Sequence, residues 1–253
     1  MNTELLDLST KSSCYVAPSF PYEMYDGFGG LLGTNIALIC GGYDAQNGQK
    51  SDDCHFWDME NGETFITSAP LLEPRHRGDS ITTTKGLWVT GGLNANNVVT
   101  KTTEFVTLDE SIVGPNLPEP ISDHCLARIN STVIALIGGD TGTYSAKTYF
   151  FDERSQDWTS GPNMIEARYL HGCSVITNNG KQYLTVAGGY NNGKLDSLEF
   201  LEIGAETAAW VKGPALPEPI SDFRMVLTAD SLGLIAIGGY DDSTLNKTRV
   251  SEM

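Results

Sequence analysis

Positive charge is scarce in this chain. Lys and Arg number 16 against 32 Asp and Glu, a formal net charge of −16. Nucleic-acid and anionic-membrane surfaces need a basic patch, so neither partner is expected. Long apolar runs are also missing: nothing approaches the roughly 18 apolar residues of a membrane-crossing helix. The opening MNTELLDLST has no basic start and no apolar core, so it does not read as a signal peptide. The five cysteines form no CxxC pair, which argues against a zinc site. No segment shows a helical period. No nucleophile elbow, P-loop or HExxH stretch is present, and no helix is expected after any Gly-Gly pair to make a phosphate loop of it.

What the chain does have is repetition. LPEPISD occurs at Leu117–Asp123 and again at Leu216–Asp222, 99 positions later. An apolar run followed by Gly-Gly occurs five times, ending at Gly42, Gly92, Gly139, Gly189 and Gly239, with spacings of 50, 47, 50 and 50. So 99 residues is two periods, and LPEPISD marks alternate repeats. A period near 50 points to a propeller or array rather than a single layered core. Between Gly161 and Trp210 the pattern gives a turn (GPNMIEAR), a strand (YLHGCSVIT), a hairpin turn (NNGK) and a second strand (QYLTVA). Third and fourth strands follow in SLEFLEI and AAWVKGP. The run before each Gly-Gly is apolar on both faces, as in a strand covered on both sides.

These features resemble the kelch repeat, whose blades carry an apolar run, a double Gly and then an aromatic and a Trp at set distances. Trp158 follows Gly139 and Trp210 follows Gly189; Phe65 and Ile112 stand at similar offsets after Gly42 and Gly92. The resemblance covers nearly the whole chain. It implies an all-β fold, a β-propeller of four-stranded blades in a single domain spanning residues 1–253. Residues 3–19 resemble the third and fourth strands of a blade, and Phe223–Met253 the first three, so the two ends together would complete a fifth blade and remove an open sheet edge. Two details favour a fragment of a six-bladed parent instead. TELLDLS and KTRVSEM both read as a third strand, and the turn before each first strand alternates between Arg-bearing and Arg-free forms. Five blades are the expectation.

Cys125 and Cys173 fall at matching points of first strands and read as small buried side chains. Cys40 and Cys54 lie on adjacent antiparallel strands, where a disulfide can form; two buried thiols are the alternative. Asn130-Ser-Thr and Asn246-Lys-Thr match the glycosylation sequon, which matters only in a secreted protein. The sequons point outward and the missing leader inward, so the compartment stays open.

Among propellers that are enzymes, galactose oxidase needs copper held by His and Tyr. Three of the four histidines here, His76, His124 and His171, precede or open first strands, but the repeat alone puts them there, one per blade. A sialidase needs Asp-box turns, which SQDWTSG does not provide, and Trp57-Asp58 lacks the Gly-His partner of a WD repeat. No metal, cofactor or catalytic set is expected. Arginine is more informative. Four of seven, Arg75, Arg77, Arg168 and Arg224, lie in or beside the turn into a first strand. With His76, His124, Tyr169 and His171 they would ring one face, a cationic focus in an acidic chain. Arg presents a planar fork suited to carboxylates. Arg75 and Arg168 have a bland reading too, as ties between blades with Glu73 and Glu166 as partners. Arg77 and Arg224, each 14 residues before a Gly-Gly pair, are the better binding candidates. The resemblance implies a non-catalytic module that binds a protein or peptide, here an acidic one, with the chain as a monomer. A carbohydrate-active or oxidase-type propeller enzyme is the alternative.

Overall fold

The computed structural model describes residues 3–7, 12–62, 64–227, 234–240 and 251–252; for residues 3–7, 12–16, 240 and 251–252 it describes backbone only. Asn246 and the rest of residues 241–250 lie outside them. Every regular element among the described residues is a β-strand, and every pairing is antiparallel. The chain divides into two units, 1–122 and 123–253.

The first unit holds two four-stranded sheets. One runs Phe28–Leu32, Ile36–Cys40, Cys54–Asp58, Ile66–Thr67; the other runs Asp79–Thr83, Gly86–Thr90, Thr103–Val106, Ser111–Val113. Strands Thr3–Asp7 and Ser12–Ala17 pair with each other. Leu38, Leu87, Val89 and Val106 meet in its core, together with Phe28 and Leu71. The second unit holds the sheet Cys125–Arg128, Val133–Ile137, Thr148–Asp152, Asp157–Ser160 and the sheet Gly172–Asn178, Lys181–Ala187, Leu198–Glu202, Trp210–Lys212. A three-stranded sheet follows, Ser221–Leu227, Leu234–Tyr240, Ser251–Glu252. Ser251–Glu252 takes its third position, pairing with Ala236 and Ile235. Ala135, Ile137, Leu184, Val186 and Leu201 fill one core of this unit, and burying each such side chain is worth about 1.5–3 kcal/mol for the larger ones.

The second strands are buried on both faces, as their apolar runs require, with four buried residues in succession in Gly86–Thr90 and Val133–Ile137, and the turns explain the repeat. In all five Gly-Gly pairs both residues have positive φ: 62° and 93° at Gly41–Gly42, 58° and 95° at Gly188–Gly189. L side chains resist that region. Space forbids them as well: a Cβ on Gly189 would stand 2.8 Å from the Tyr169 carbonyl oxygen. The chain turns out of the second strand here, and the second Gly donates its N–H to the turn leading into the next sheet. Gly42 N–H reaches the Arg75 carbonyl, Gly92 reaches Ile121, Gly139 reaches Arg168 and Gly189 reaches Ile220, at 2.8–2.9 Å. In the last sheet the strand Leu234–Tyr240 continues through Gly238–Gly239 instead of ending before it, with Ser221 paired to Tyr240.

Two details of the sequence reading need correction. The first strand after Gly161 begins at Gly172, not at Tyr169, because Leu170 adopts φ 55° and breaks the extended run. And Cys125 and Cys173 are not separate thiols but a disulfide joining the first strands of two sheets. Register gives the reason. Cys125 pairs with Ile137, just before Gly138, whereas Gly172 pairs with Ala187, just before Gly188. Gly172, not Cys173, is therefore the counterpart of Cys125. Successive strand residues face opposite ways. A Cβ on Gly172 would meet Phe223 and Met225 of the following strand, so Cys173 faces back to Cys125.

Candidate functional site

At the entry to each first strand one non-glycine residue lies in the left-handed region, four of them before the strand and Asp222 as the second residue of Ser221–Leu227. These are Asp26, Arg77, Asp123, Leu170 and Asp222, with φ between 51° and 59°. Each unit links its own through backbone bonds. Arg77 N–H donates to the Asp26 carbonyl at 3.1 Å; Leu170 N–H donates to Asp123 at 3.1 Å and Asp222 N–H to Leu170 at 2.8 Å. Non-glycine residues in this region are uncommon, and a bulky one such as Leu170 more so, which marks the turns as a place where geometry outweighs local preference.

Arg75 and Arg168 do not face a ligand. Both are fully buried, with 1% and 0% of their surface exposed. Arg75 donates to the Gly91 and Thr102 carbonyls at 3.2 and 3.0 Å and to Glu73 Oε1 at 2.7 Å; its Nε lies 3.2 Å from Glu104 Oε1. Arg168 repeats the arrangement: Gly188 and Ser197 carbonyls at 2.8 and 3.1 Å, Glu199 Oε1 at 2.6 Å, Glu166 Oε2 at 3.6 Å. Since each of these arginines also accepts the Gly-Gly N–H of the preceding sheet, it ties two sheets together. The two terminal nitrogens of its guanidinium are engaged in doing so. The acids that complete the tie, Glu104 and Glu199, sit on third strands and were not singled out in the sequence. They hold more than the arginine: Glu104 accepts the Leu72 N–H at 2.6 Å, and Glu199 accepts those of Ile165 and Glu166 at 2.7 and 3.1 Å. Burial pushes the Glu104 carboxyl above its ordinary value despite the Leu72 N–H and Arg75, and burial pulls Arg75 below its own despite Glu104 and Glu73.

The histidines are also interior. His76, His124 and His171 are all buried. Burial, then the charges of Arg168, His124 and Arg224, hold His171 well below the usual imidazole range, so it is neutral at pH 7. His76 is lowered by burial first and by Lys50 and Arg77 next. Buried as they are, His76, His124 and His171, like Arg75 and Arg168, offer an acidic partner almost no exposed surface, contrary to the expectation from their place before first strands. Among the described residues no group of three or more His, Cys, Asp or Glu is disposed to hold a metal ion.

Arg77, Tyr169 and Arg224 remain. Arg224 is exposed; Arg77 and Tyr169 are half-buried. Arg77 and Arg224 are not equivalent positions, although both stand 14 residues before a Gly-Gly pair. Arg224 pairs with Ile237 just before Gly238, as Asp79 pairs with Thr90 just before Gly91, whereas Arg77 occupies the left-handed turn. Counting back misleads because hairpins differ in length: only Thr84 and Lys85 separate the pair Thr83–Gly86, while Leu227 and Leu234 close a longer connection.

Around these residues the structure gathers side chains that the sequence reading missed. In the first unit Tyr25 and Tyr43 pack at 5.0 Å, Tyr43 lies 6.0 Å from His76, and Lys50 adds its charge beside Arg77. In the second unit Tyr144 stacks on Tyr169 at 4.8 Å and Tyr190 meets Tyr169 edge-on at 5.7 Å; Lys194 bridges to Tyr190 through backbone. The signal was present: Tyr43 and Tyr190 directly follow Gly-Gly, and Lys50 and Lys194 are the first lysines after those pairs. Each unit thus presents tyrosines and long cationic side chains on the same set of turns.

No protein-family model matches the chain, and no curated protein matches it. Among solved structures, that of YjhT superposes with a TM-score of 0.76 over 94% of this chain and 83% of that one, at 12% sequence identity. At such identity the likeness concerns the fold alone, a propeller-type all-β fold.

Proposed function

We propose that the chain is a non-catalytic binding module built from kelch-type blades, five in number, and that it takes an acidic protein or peptide segment on the turns that lead into the first strands. The observation that carries the reading is that Arg and Tyr gather about the same imidazoles: Arg77 acts on His76, against which Tyr43 packs beside Tyr25, and Arg224 acts on His171, two residues along from Tyr169 of the Tyr144–Tyr169–Tyr190 group. Tyr and Arg are enriched at protein interfaces. Tyr offers a large, stiff contact surface with a polar tip, and Arg a fork for carboxylates. Both sets stand out against a net charge of −16. Glu and Asp side chains of a partner are the ligands this chemistry selects.

Panning a random peptide library on the immobilised chain tests it. Recovered peptides should share an Asp/Glu-rich consensus flanked by apolar residues, and binding should weaken as salt rises, since rim charges are screened. A consensus without acidic residues would sink the reading. The blade count has its own test: deleting residues 1–19 should open the ring and cause aggregation, and an equally stable monomeric truncation would argue against five blades closed by both termini.

A further inference from the structure

We propose that Asn130 is an N-glycan acceptor and that the chain folds in an oxidising, secretory-type compartment. Two independent observations meet here. The first is covalent: Cys40–Cys54 and Cys125–Cys173 are both disulfides, one within a sheet and one between sheets. Such bridges form and persist in oxidising compartments and are rare where glutathione keeps thiols reduced. Oligosaccharide transfer to Asn-x-Ser/Thr belongs to secreted chains as well.

The second is the geometry of the sequon. Asn130, Ser131 and Thr132 form the tip of the hairpin between Cys125–Arg128 and Val133–Ile137, and Asn130 is exposed. Its Oδ1 accepts the Thr132 and Val133 N–H groups, each at 2.9 Å, and lies 3.3 Å from Thr132 Oγ1. All described bonds of this side chain fall on Oδ1 and none on Nδ2. A sugar on Nδ2 therefore displaces no protein contact, and the turn keeps its two backbone bonds. The same strand Cys125–Arg128 begins beside the Asp123 turn and ends toward Asn130. A glycan at the tip would stand at the opposite end of the strand from the Asp123 turn, to which Leu170, next to Tyr169, is bonded.

The transfer balances with a polyprenyl diphosphate-linked oligosaccharide as donor. Asn130 Nδ2 forms a bond to the anomeric carbon of the first sugar, the sugar C1–O(phosphate) bond breaks, the diphosphate leaves with the electron pair, and one amide proton goes to a base of the transferase.

The test is to secrete the full chain from a eukaryotic cell behind a cleavable leader and digest it with peptide N-glycosidase F in heavy-oxygen water. Peptide mapping should find Asn130 converted to labelled Asp in most molecules. Thr132→Val, which keeps Asn130 and its backbone bonds, should abolish the conversion, and Thr132→Ser should retain it. Parallel alkylation should leave Cys40, Cys54, Cys125 and Cys173 unlabelled until reductant is added. An unmodified Asn130, in the medium or retained in the cell, overturns the proposal, as do four freely alkylated cysteines.

Discussion

Each unit fills the position that receives a Gly-Gly N–H in two ways, one polar and one apolar. In the first unit the polar joint is Arg75 and the apolar one Ile121; in the second they are Arg168 and Ile220. All four occupy one position, receiving the N–H of the preceding Gly-Gly pair. The sequences align as Glu73-Pro74-Arg75, Glu119-Pro120-Ile121, Glu166-Ala167-Arg168 and Glu218-Pro219-Ile220. The difference reaches across the sheet. Where the turn carries Arg, the third strand carries a buried acid, Glu104 opposite Val89 and Glu199 opposite Val186. After Ile121 the corresponding position is Tyr149, opposite Leu136, and after Ile220 it is Ser251, opposite Ala236. LPEPISD therefore recurs two periods apart because it is the apolar joint. An Ile in place of Arg needs no buried counter-charge; Ile121 is itself 1% exposed, and a Cβ on Gly239 would collide with Ile220 Cδ1. The comparison teaches that one position can be filled by two chemistries when the residue two strands away changes with it.

The largest effect should come from breaking a polar joint on one side. Arg168→Met leaves Glu199 buried without its cation and should cost about 3–5 kcal/mol. Adding Glu199→Leu should recover part of that, and less than the full amount, because Glu199 also accepts two backbone N–H groups. Urea denaturation of the single and double variants measures both. A single variant within about 1 kcal/mol of wild type would show that the arginine is not a tie.

The disulfides sharpen the contrast between binding a sheet to itself and binding two sheets together. Cys40–Cys54 closes 14 residues and Cys125–Cys173 closes 48. Chain entropy predicts losses of about 3 kcal/mol for Cys40→Ser with Cys54→Ser and about 4 kcal/mol for Cys125→Ser with Cys173→Ser. Equal losses, or the reverse order, would show that native-state packing rather than loop closure sets the difference.

Legibility followed distance along the chain. The Gly-Gly period, the four-strand repeat and the Arg75–Glu73 and Arg168–Glu166 pairings could be read because their parts are local. Glu199 could not: it lies 31 residues from Arg168, and only the strand register brings them together. The Cys125–Cys173 bridge was missed for a related reason. The sequence puts the two cysteines at matching points of first strands, and equivalent residues of successive first strands face the same way; in the structure they are one residue out of step, which is what turns them toward each other. Burial of His124 and His171 was hidden as well, since the pattern that located them before first strands carries no information on what packs above them.

Acid should separate the units more gently. His55 and His76 in the first unit and His171 in the second are all shifted below the ordinary value, in each case mainly by burial. A folded pKa below the unfolded one means that unfolding takes up a proton at mild acidity. Stability is then unaffected above about pH 6.5, the unfolded value, and declines as pH falls below it, by up to about 1.4 kcal/mol per pH unit for each such histidine. His171, the most strongly shifted, should lose stability over the widest range, so His171→Gln should flatten the pH dependence more than His76→Gln. The reverse order in urea titrations at pH 7 and pH 5.5 would contradict the burial assigned to His171.

The central claim is that the turns, and not the rest of the surface, receive an acidic segment. Affinity of an acidic peptide selected on the wild-type chain decides it, measured for wild type, for Arg77→Ala with Arg224→Ala, and for Arg154→Ala. Arg154 is an exposed arginine in the turn between Thr148–Asp152 and Asp157–Ser160, away from the turns into first strands. The double variant should lose about 2–4 kcal/mol of binding with unchanged unfolding behaviour, and Arg154→Ala should bind as wild type does. Equal affinity for the double variant and the control would contradict the account and move the binding surface elsewhere.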